Sequence, residues 1–88
     1  MKSDFKSSFL RDIKKVTDKD LLSQIDSIIS CVEAAKTIRE IDGIKKLVGY
    51  KSAYRIRIGD YRIGLDITAG TVTFVRFLNR RDIYKMFP

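Results

Sequence analysis

The feature that most constrains this chain is a change, about halfway along it, in the spacing of its apolar residues. In the second half, apolar residues occupy every second position on both sides of the dipeptide Gly59-Asp60. A dipeptide beginning with glycine between two alternating runs predicts a tight β-hairpin with a type I′ or II′ turn. Such a turn pairs Ile58 with Tyr61 and Arg57 with Arg62, so the sequence predicts the register of the two strands as well as their existence.

This register collects positive charge on one face of the hairpin. Because side chains alternate across a strand, Arg55, Arg57 and Arg62 share the face opposite the apolar residues. Arginines directly across a ladder repel each other, so stability alone does not call for them. A guanidinium is always charged and suits bidentate contact with phosphate, and Gly64 opposite Arg55 leaves a gap for a ligand. We interpret the face as a phosphate site; the alternative is a solvated face whose charges nearby carboxylates neutralise.

A third β-rich run covers residues 71–78. The sequence does not decide on which face of the sheet Arg76 lies. If the preceding turn is Ala69-Gly70, Arg76 falls on the apolar face. If the turn has three residues, Thr68-Ala69-Gly70, and carries a bulge, Arg76 joins the cationic face. Arg76 is therefore only a secondary candidate for the phosphate site.

The end of the chain combines packing residues with cations around a tyrosine. The apolar residues Ile83, Met86 and Phe87 are expected to tie this segment to the core. The polar residues at the rim of the sheet would then be Arg80, Arg81, Tyr84 and Lys85. A tyrosine among cations can stack on a base or donate a proton.

The first half of the chain predicts helices, after a short strand within residues 1–5. Two stretches, residues 5–16 and 21–32, place apolar residues three or four positions apart, with Thr17 or Asp18 available to cap the second helix. The segment 36–51 is irregular, with turns at Gly43 and Gly49. The predicted class is α+β: a short N-terminal strand, then an antiparallel helix hairpin packed on one face of a curved antiparallel sheet.

Length and composition restrict the function classes. The 88 residues suffice for one domain, 1–88, and the net charge of +7 favours a polyanionic partner: nucleic acid, an acidic protein or an anionic membrane surface. Without histidine and with Cys31 as the single cysteine, expected to be buried, we expect no disulfide, no zinc and no other metal. The polar start and the lack of a long apolar run predict a cytoplasmic protein that does not bind a membrane.

Two segments carry a family resemblance. The string from Leu47 to Ile63, with Tyr54-Arg55-Ile56-Arg57-Ile58-Gly59-Asp60-Tyr61-Arg62 at its centre, resembles the central hairpin of the RelE/ParE toxins. The segment from Phe77 to Lys85 is similar to the "His-Arg-Arg-Asp-Ile-Tyr" ending of that family. Together with the helix pair, the resemblance covers nearly the whole chain.

The resemblance implies a toxin of a type II toxin–antitoxin system that a cognate antitoxin protein wraps and inactivates. RelE-like members are endoribonucleases that cut mRNA in the ribosomal A site, without a small-molecule cofactor. Matched by position, their catalytic residues fall on Arg55, Arg57, Arg62, Arg81 and Tyr84. Four further cations are expected to bind RNA: Lys51, Arg76, Arg80 and Lys85.

Two departures from the family keep other functions open. Many relatives have histidine where this chain has Asn79, and others have lysine at Arg55 and Arg57. Because arginine does not readily give up a proton, Tyr84 and Lys85 are the only candidates for proton transfer expected near these arginines. The alternatives are therefore a ParE-like inhibitor of DNA gyrase, and a catalytically weak relative whose cationic face only accepts an acidic antitoxin segment.

Overall fold

The computed structural model describes all of residues 1–88 and confirms the α+β class. A strand begins the chain, a helix ends it, and a short 3-10 helix, Ile38–Glu40, precedes the second strand. The elements are β1 (Lys2–Phe5), α1 (Ser7–Lys14), α2 (Lys19–Ala34), β2 (Ile44–Lys46), β3 (Ala53–Ile58), β4 (Tyr61–Thr68), β5 (Thr71–Asn79) and α3 (Arg80–Met86).

The five strands form one sheet in the order β1-β5-β4-β3-β2. Strand β1 runs parallel to β5 and the other neighbours are antiparallel, so the sheet is mixed rather than wholly antiparallel. The predicted register of β3 and β4 is confirmed, with Arg57 opposite Arg62 and Arg55 opposite Gly64. Gly59 has a φ of 55° and Asp60 has a negative φ, which is the type II′ geometry of a two-residue turn.

The hydrophobic core lies between α1, α2 and one face of the sheet. Phe9 of α1 packs on Phe74 of β5 with ring centroids 5.3 Å apart. Alternate strand residues such as Ile56 and Ile63 supply the sheet side of the core, and Ile25 and Val32 supply the side of α2. The opposite face of the sheet has no helix hairpin over it, which leaves it available for a site.

Two aspartates hold the helical layer in place. The Asp18 side chain, one of the two caps that the sequence allows, caps α2 by accepting hydrogen bonds from the backbone N–H groups of Asp20 (2.9 Å) and Leu21 (3.2 Å). Asp12 of α1 is buried, and its carboxylate accepts from Arg76 Nε (2.8 Å) and from the Phe77 N–H (2.9 Å) of β5. Asp12 therefore joins α1 to the sheet.

The position of Arg76 follows from the β4–β5 connection. The turn is the two-residue Ala69-Gly70, since Thr68 pairs with Thr71. The register then shifts by one residue between Leu65 and Gly64, so that a bulge lies within the strands and not at the turn. The Arg76 side chain turns to Asp12 on α1, and it does not join the cationic face.

Two further expectations are corrected. The end of the chain forms a helix, α3, in which Ile83 is buried as expected but Met86 is exposed. Cys31 is exposed, because it lies on the outer side of α2, and it is not the buried thiol that its neighbours suggested. None of the helices combines the length and the hydrophobicity that a membrane span requires.

Candidate functional site

A pocket lined by cations opens on the face of the sheet opposite the helix hairpin. We define this cationic pocket by the five residues around it, Gly43, Lys45, Arg55, Arg57 and Arg62, which enclose about 190 Å³. They come from three adjacent strands or from the turn before β2. No carboxylate lines the pocket, so these charges face solvent or a ligand.

Arg62 forms the buried part of the pocket wall. Only 6% of its surface is exposed, and its Nη1 donates hydrogen bonds to the carbonyls of Gly59 (2.9 Å) and Tyr61 (2.8 Å) at the hairpin turn. Its Nε is buried and has no hydrogen-bond partner. An unpaired buried donor costs free energy, and because this nitrogen is enclosed by the protein, Arg62 would act on a bound anion chiefly through its positive charge.

The positive charges around Arg62 repel one another unless an anion binds in the pocket. Burial lowers the pKa of the Arg62 guanidinium, and the positive charges of Arg57, Arg55 and Arg80 lower it further, while Tyr84 acts in the opposite direction. The single ion pair in the protein, Arg76 with Asp12, lies elsewhere. The alternative of a face neutralised by carboxylates therefore does not describe this pocket, and a bound anion would relieve the repulsion.

The sequence analysis missed Lys45 and Gly43. Residues 36–51 have no clear alternation, yet Ile44–Lys46 pairs with β3 and places Lys45 directly opposite Arg55. Cβ atoms in such a pair lie roughly 5 Å apart on the same face. The alternation of Ile44 and Lys45 was the only signal, and three residues are too few to establish a strand pattern.

Helix α3 brings Arg80 and Tyr84, but not Arg81, toward the pocket. Residues four apart share one side of a helix, and both Arg80 and Tyr84 influence the pKa of Arg62. Arg81 and Lys85 follow by one position on the neighbouring side of α3, and Arg80 and Arg81 both line a separate shallow cavity with Asp60 and Asn79. Tyr84 and Arg80 are thus the residues of α3 whose charges act on Arg62.

The remaining candidates lie outside the cationic pocket. Lys51 is exposed in the loop before β3, at the end of the hairpin opposite to the Arg57–Arg62 pair. Arg76 pairs with Asp12, as described above. No cluster of cysteine, aspartate or glutamate could hold a metal ion.

The predicted gap at Gly64 is filled by the protein itself. A Cβ built on Gly64 would lie 2.7 to 2.9 Å from three carbons of the Phe87 ring. Gly64 faces the same way as Arg62, so the ring of Phe87 covers part of the sheet face that lies opposite the helix hairpin. This contact, together with the buried Ile83, fixes the end of α3 beside the pocket.

The substitution Gly64→Ala is expected to loosen the end of α3. The added methyl overlaps the Phe87 ring, and such overpacking costs about 1 to 3 kcal/mol, so amide exchange in the last turn should speed up about tenfold or more. The measurement is hydrogen exchange at the Phe87 N–H, which donates to Ile83 O at 2.9 Å. The same substitution in a Phe87→Ala protein is the control, because the overlap is then absent; an equal effect in both backgrounds would refute the contact.

Comparison with known protein families gives one match along almost the whole chain. Residues 4–84 match the family described as ParE toxin of the type II toxin–antitoxin system, parDE. The chain is also similar to toxin RelE3 of Methanocaldococcus jannaschii, with 37% identity over 100% of both chains.

Solved structures show the same fold. The RelB–RelE antitoxin–toxin complex from Methanococcus jannaschii matches with 35% identity and a TM-score of 0.82, covering 97% of this chain and 99% of that chain. The archaeal RelE–RelB complex from Pyrococcus horikoshii matches with 18% identity and a TM-score of 0.72, over 90% and 93% of the two chains. Both relatives were solved together with an antitoxin.

Proposed function

Because this chain belongs to the RelE/ParE family of type II toxins, we propose that it is a ribosome-dependent endoribonuclease that cuts mRNA in the A site. A cognate antitoxin would hold it inactive, as the complexes of its relatives suggest. Ribosomes and mRNA would be its targets, which places its action in the cytoplasm.

The observation that carries this proposal is the unneutralised cationic pocket around the buried Arg62. Cleavage of RNA by its own 2′-hydroxyl passes through a phosphorane whose charge exceeds that of the starting phosphodiester. Arg55, Arg57 and Arg62 line one pocket in which such a charge can be held, and the buried Arg62 contributes its positive charge from the pocket wall. Donors that are fixed before the reaction stabilise developing charge without reorganising.

Tyr84 is the proposed proton donor. Its side chain is 70% exposed on α3, and it is close enough to Arg62 to influence the pKa of that guanidinium. A phenol beside several cations can give its proton to the departing 5′-oxygen, or stack on a base next to the cut. Arg80 and Lys85 would contact neighbouring phosphates from the same helix.

A ParE-like action on DNA gyrase is the second candidate, since the matched family is described by its ParE members. Expression without any antitoxin distinguishes the two. We expect protein synthesis to stop and mRNA to be cut within codons, without induction of the SOS response. An SOS response with DNA breaks and continued translation would instead support the gyrase target.

Two single arginine substitutions, one in the pocket and one outside it, provide a matched comparison in this experiment. Arg57→Ala removes an exposed charge of the pocket, and Arg11→Ala removes an exposed charge from α1. Both variants lower the net charge equally. We expect only Arg57→Ala to relieve the arrest; equal relief by Arg11→Ala would mean that total charge, and not the pocket, determines toxicity.

A further inference from the structure

The proposed reaction needs a proton acceptor within the cationic pocket, and Lys85, the other candidate for proton transfer named from the sequence, does not line it. The 2′-hydroxyl must lose its proton as its oxygen attacks phosphorus. A guanidinium remains protonated in proteins, so Arg55, Arg57 and Arg62 cannot serve as the base. The chain has no histidine, and no carboxylate lines the pocket.

Lys45 is the one residue of the cationic pocket whose side chain can exist as a neutral amine. It lies on β2 directly opposite Arg55, and its side chain lines the same pocket as Arg57 and Arg62. No ion pair or side-chain hydrogen bond engages it, since the single ion pair of the protein joins Arg76 to Asp12. Its neighbour Lys46 pairs with Tyr54 and points to the other face.

We propose that Lys45 is the general base of the cleavage reaction, an assignment that rests on the proposed function. The neutral Nζ of Lys45 takes the proton of the 2′-hydroxyl while the 2′-oxygen forms a bond to phosphorus. The bond from phosphorus to the 5′-oxygen breaks, and the 5′-oxygen takes the phenolic proton of Tyr84. The products are a 2′,3′-cyclic phosphate and a 5′-hydroxyl, and solvent restores both side chains.

The groups that face Lys45 are the cations of the neighbouring strands. Arg55 and Arg57 approach it from β3 and Arg62 from β4, while Arg80 and Tyr84 of α3 lie near Arg62. With no acidic residue in the pocket wall, no protein group fixes the Lys45 ammonium by pairing with it. The scissile phosphate would be the anion that all four side chains of the wall share.

A simpler role for Lys45 is protection of the sheet edge. Strand β2 is an edge strand, and lysine on an edge discourages pairing with another chain. That role needs only a positive charge, which arginine also supplies. Lys45→Arg therefore separates the two roles, because it keeps the charge and removes the group that exchanges a proton.

The test measures the rate of a single round of mRNA cleavage on programmed ribosomes, across the pH range that ribosomes tolerate. Lys45→Arg is expected to cut about 100-fold more slowly than the wild type, to lose the rise of rate with pH, and to bind the ribosomes as tightly. Lys46→Arg, the matched control on the other face, should behave as the wild type. Lys45→Ala should regain part of its rate when a small primary amine is added.

Wild-type rate and pH dependence in Lys45→Arg would overturn the assignment and leave Lys45 as a cation of the sheet edge. Failure of an added amine to restore Lys45→Ala, together with unchanged pH dependence in Lys45→Arg, would do the same. If the wild-type protein itself cut no mRNA, the proposed function would fall along with the assignment. The wild-type reaction thus distinguishes the two failures.

Discussion

Replacing Arg62 with alanine is expected to lower the rate of mRNA cleavage about a thousandfold, the upper part of the range for loss of one fixed donor to a developing oxyanion. Arg62 is the buried cation of the pocket, and its Nε has no partner within the protein. Desolvated donors stabilise charge more strongly than exposed ones. Cleavage by purified protein on programmed ribosomes, with saturating toxin, measures this change directly.

Arg62 also donates to two carbonyls of the hairpin turn, so folding has to be followed in the same variants. Arg62→Lys keeps a charge but loses the planar fork, and we expect it to remain folded and to cut slowly. Arg11→Ala, at an exposed position of α1, is the charge-matched control. A folded Arg62→Ala protein that cuts at the wild-type rate would show that the pocket does not hold the reacting phosphate.

The substitution Asp12→Ala is expected to give the largest loss of stability, about 3 kcal/mol, because it leaves a largely buried cation and a backbone donor without a partner. The Asp12 carboxylate accepts from Arg76 Nε and Nη2 and from the Phe77 N–H. In a domain of this size, such a loss lowers the melting temperature by roughly 12 to 24 °C. Thermal unfolding followed by circular dichroism measures it.

Asp26→Ala, at an exposed position of α2, is the control for Asp12→Ala and should leave the melting temperature nearly unchanged. Both substitutions remove one carboxylate from a helix. A difference between their melting temperatures therefore reports the effect of the buried position of Asp12. A melting temperature for Asp12→Ala equal to that of the control would mean that α1 is held by its apolar contacts, such as Phe9 on Phe74, and not by this network.

Local patterns were sufficient to predict the hairpin and the residues facing the cationic side. Strict alternation on both sides of Gly59-Asp60 leaves one register that keeps Ile56 and Ile63 in the core, and a slip by one residue would expose them. The cap at Asp18 is similarly local, because a carboxylate just before an apolar helical stretch has backbone donors within reach. The family resemblance rests on these same residues.

The missing parts of the site depend on contacts between distant segments. Strand β2 has three residues and exists because β3 pairs with it, so Lys45 could not be placed from its own neighbours. The face of the sheet on which the Arg76 side chain lies depends on a bulge within β4 and β5 and on its partner Asp12, 64 residues away. The contact of the Phe87 ring with Gly64 depends on the direction in which α3 runs, and no repeat or spacing in the sequence predicts that direction.

The central claim is that the cationic pocket holds a phosphodiester of ribosome-bound mRNA and cuts it. The most direct measurement adds the purified protein to ribosomes stalled at a defined codon, maps the mRNA ends by primer extension and identifies the terminal phosphate. We predict a cut within the A-site codon that leaves a 2′,3′-cyclic phosphate on the upstream fragment. Intact mRNA on these ribosomes, under conditions where the same protein halts growth, would contradict the claim.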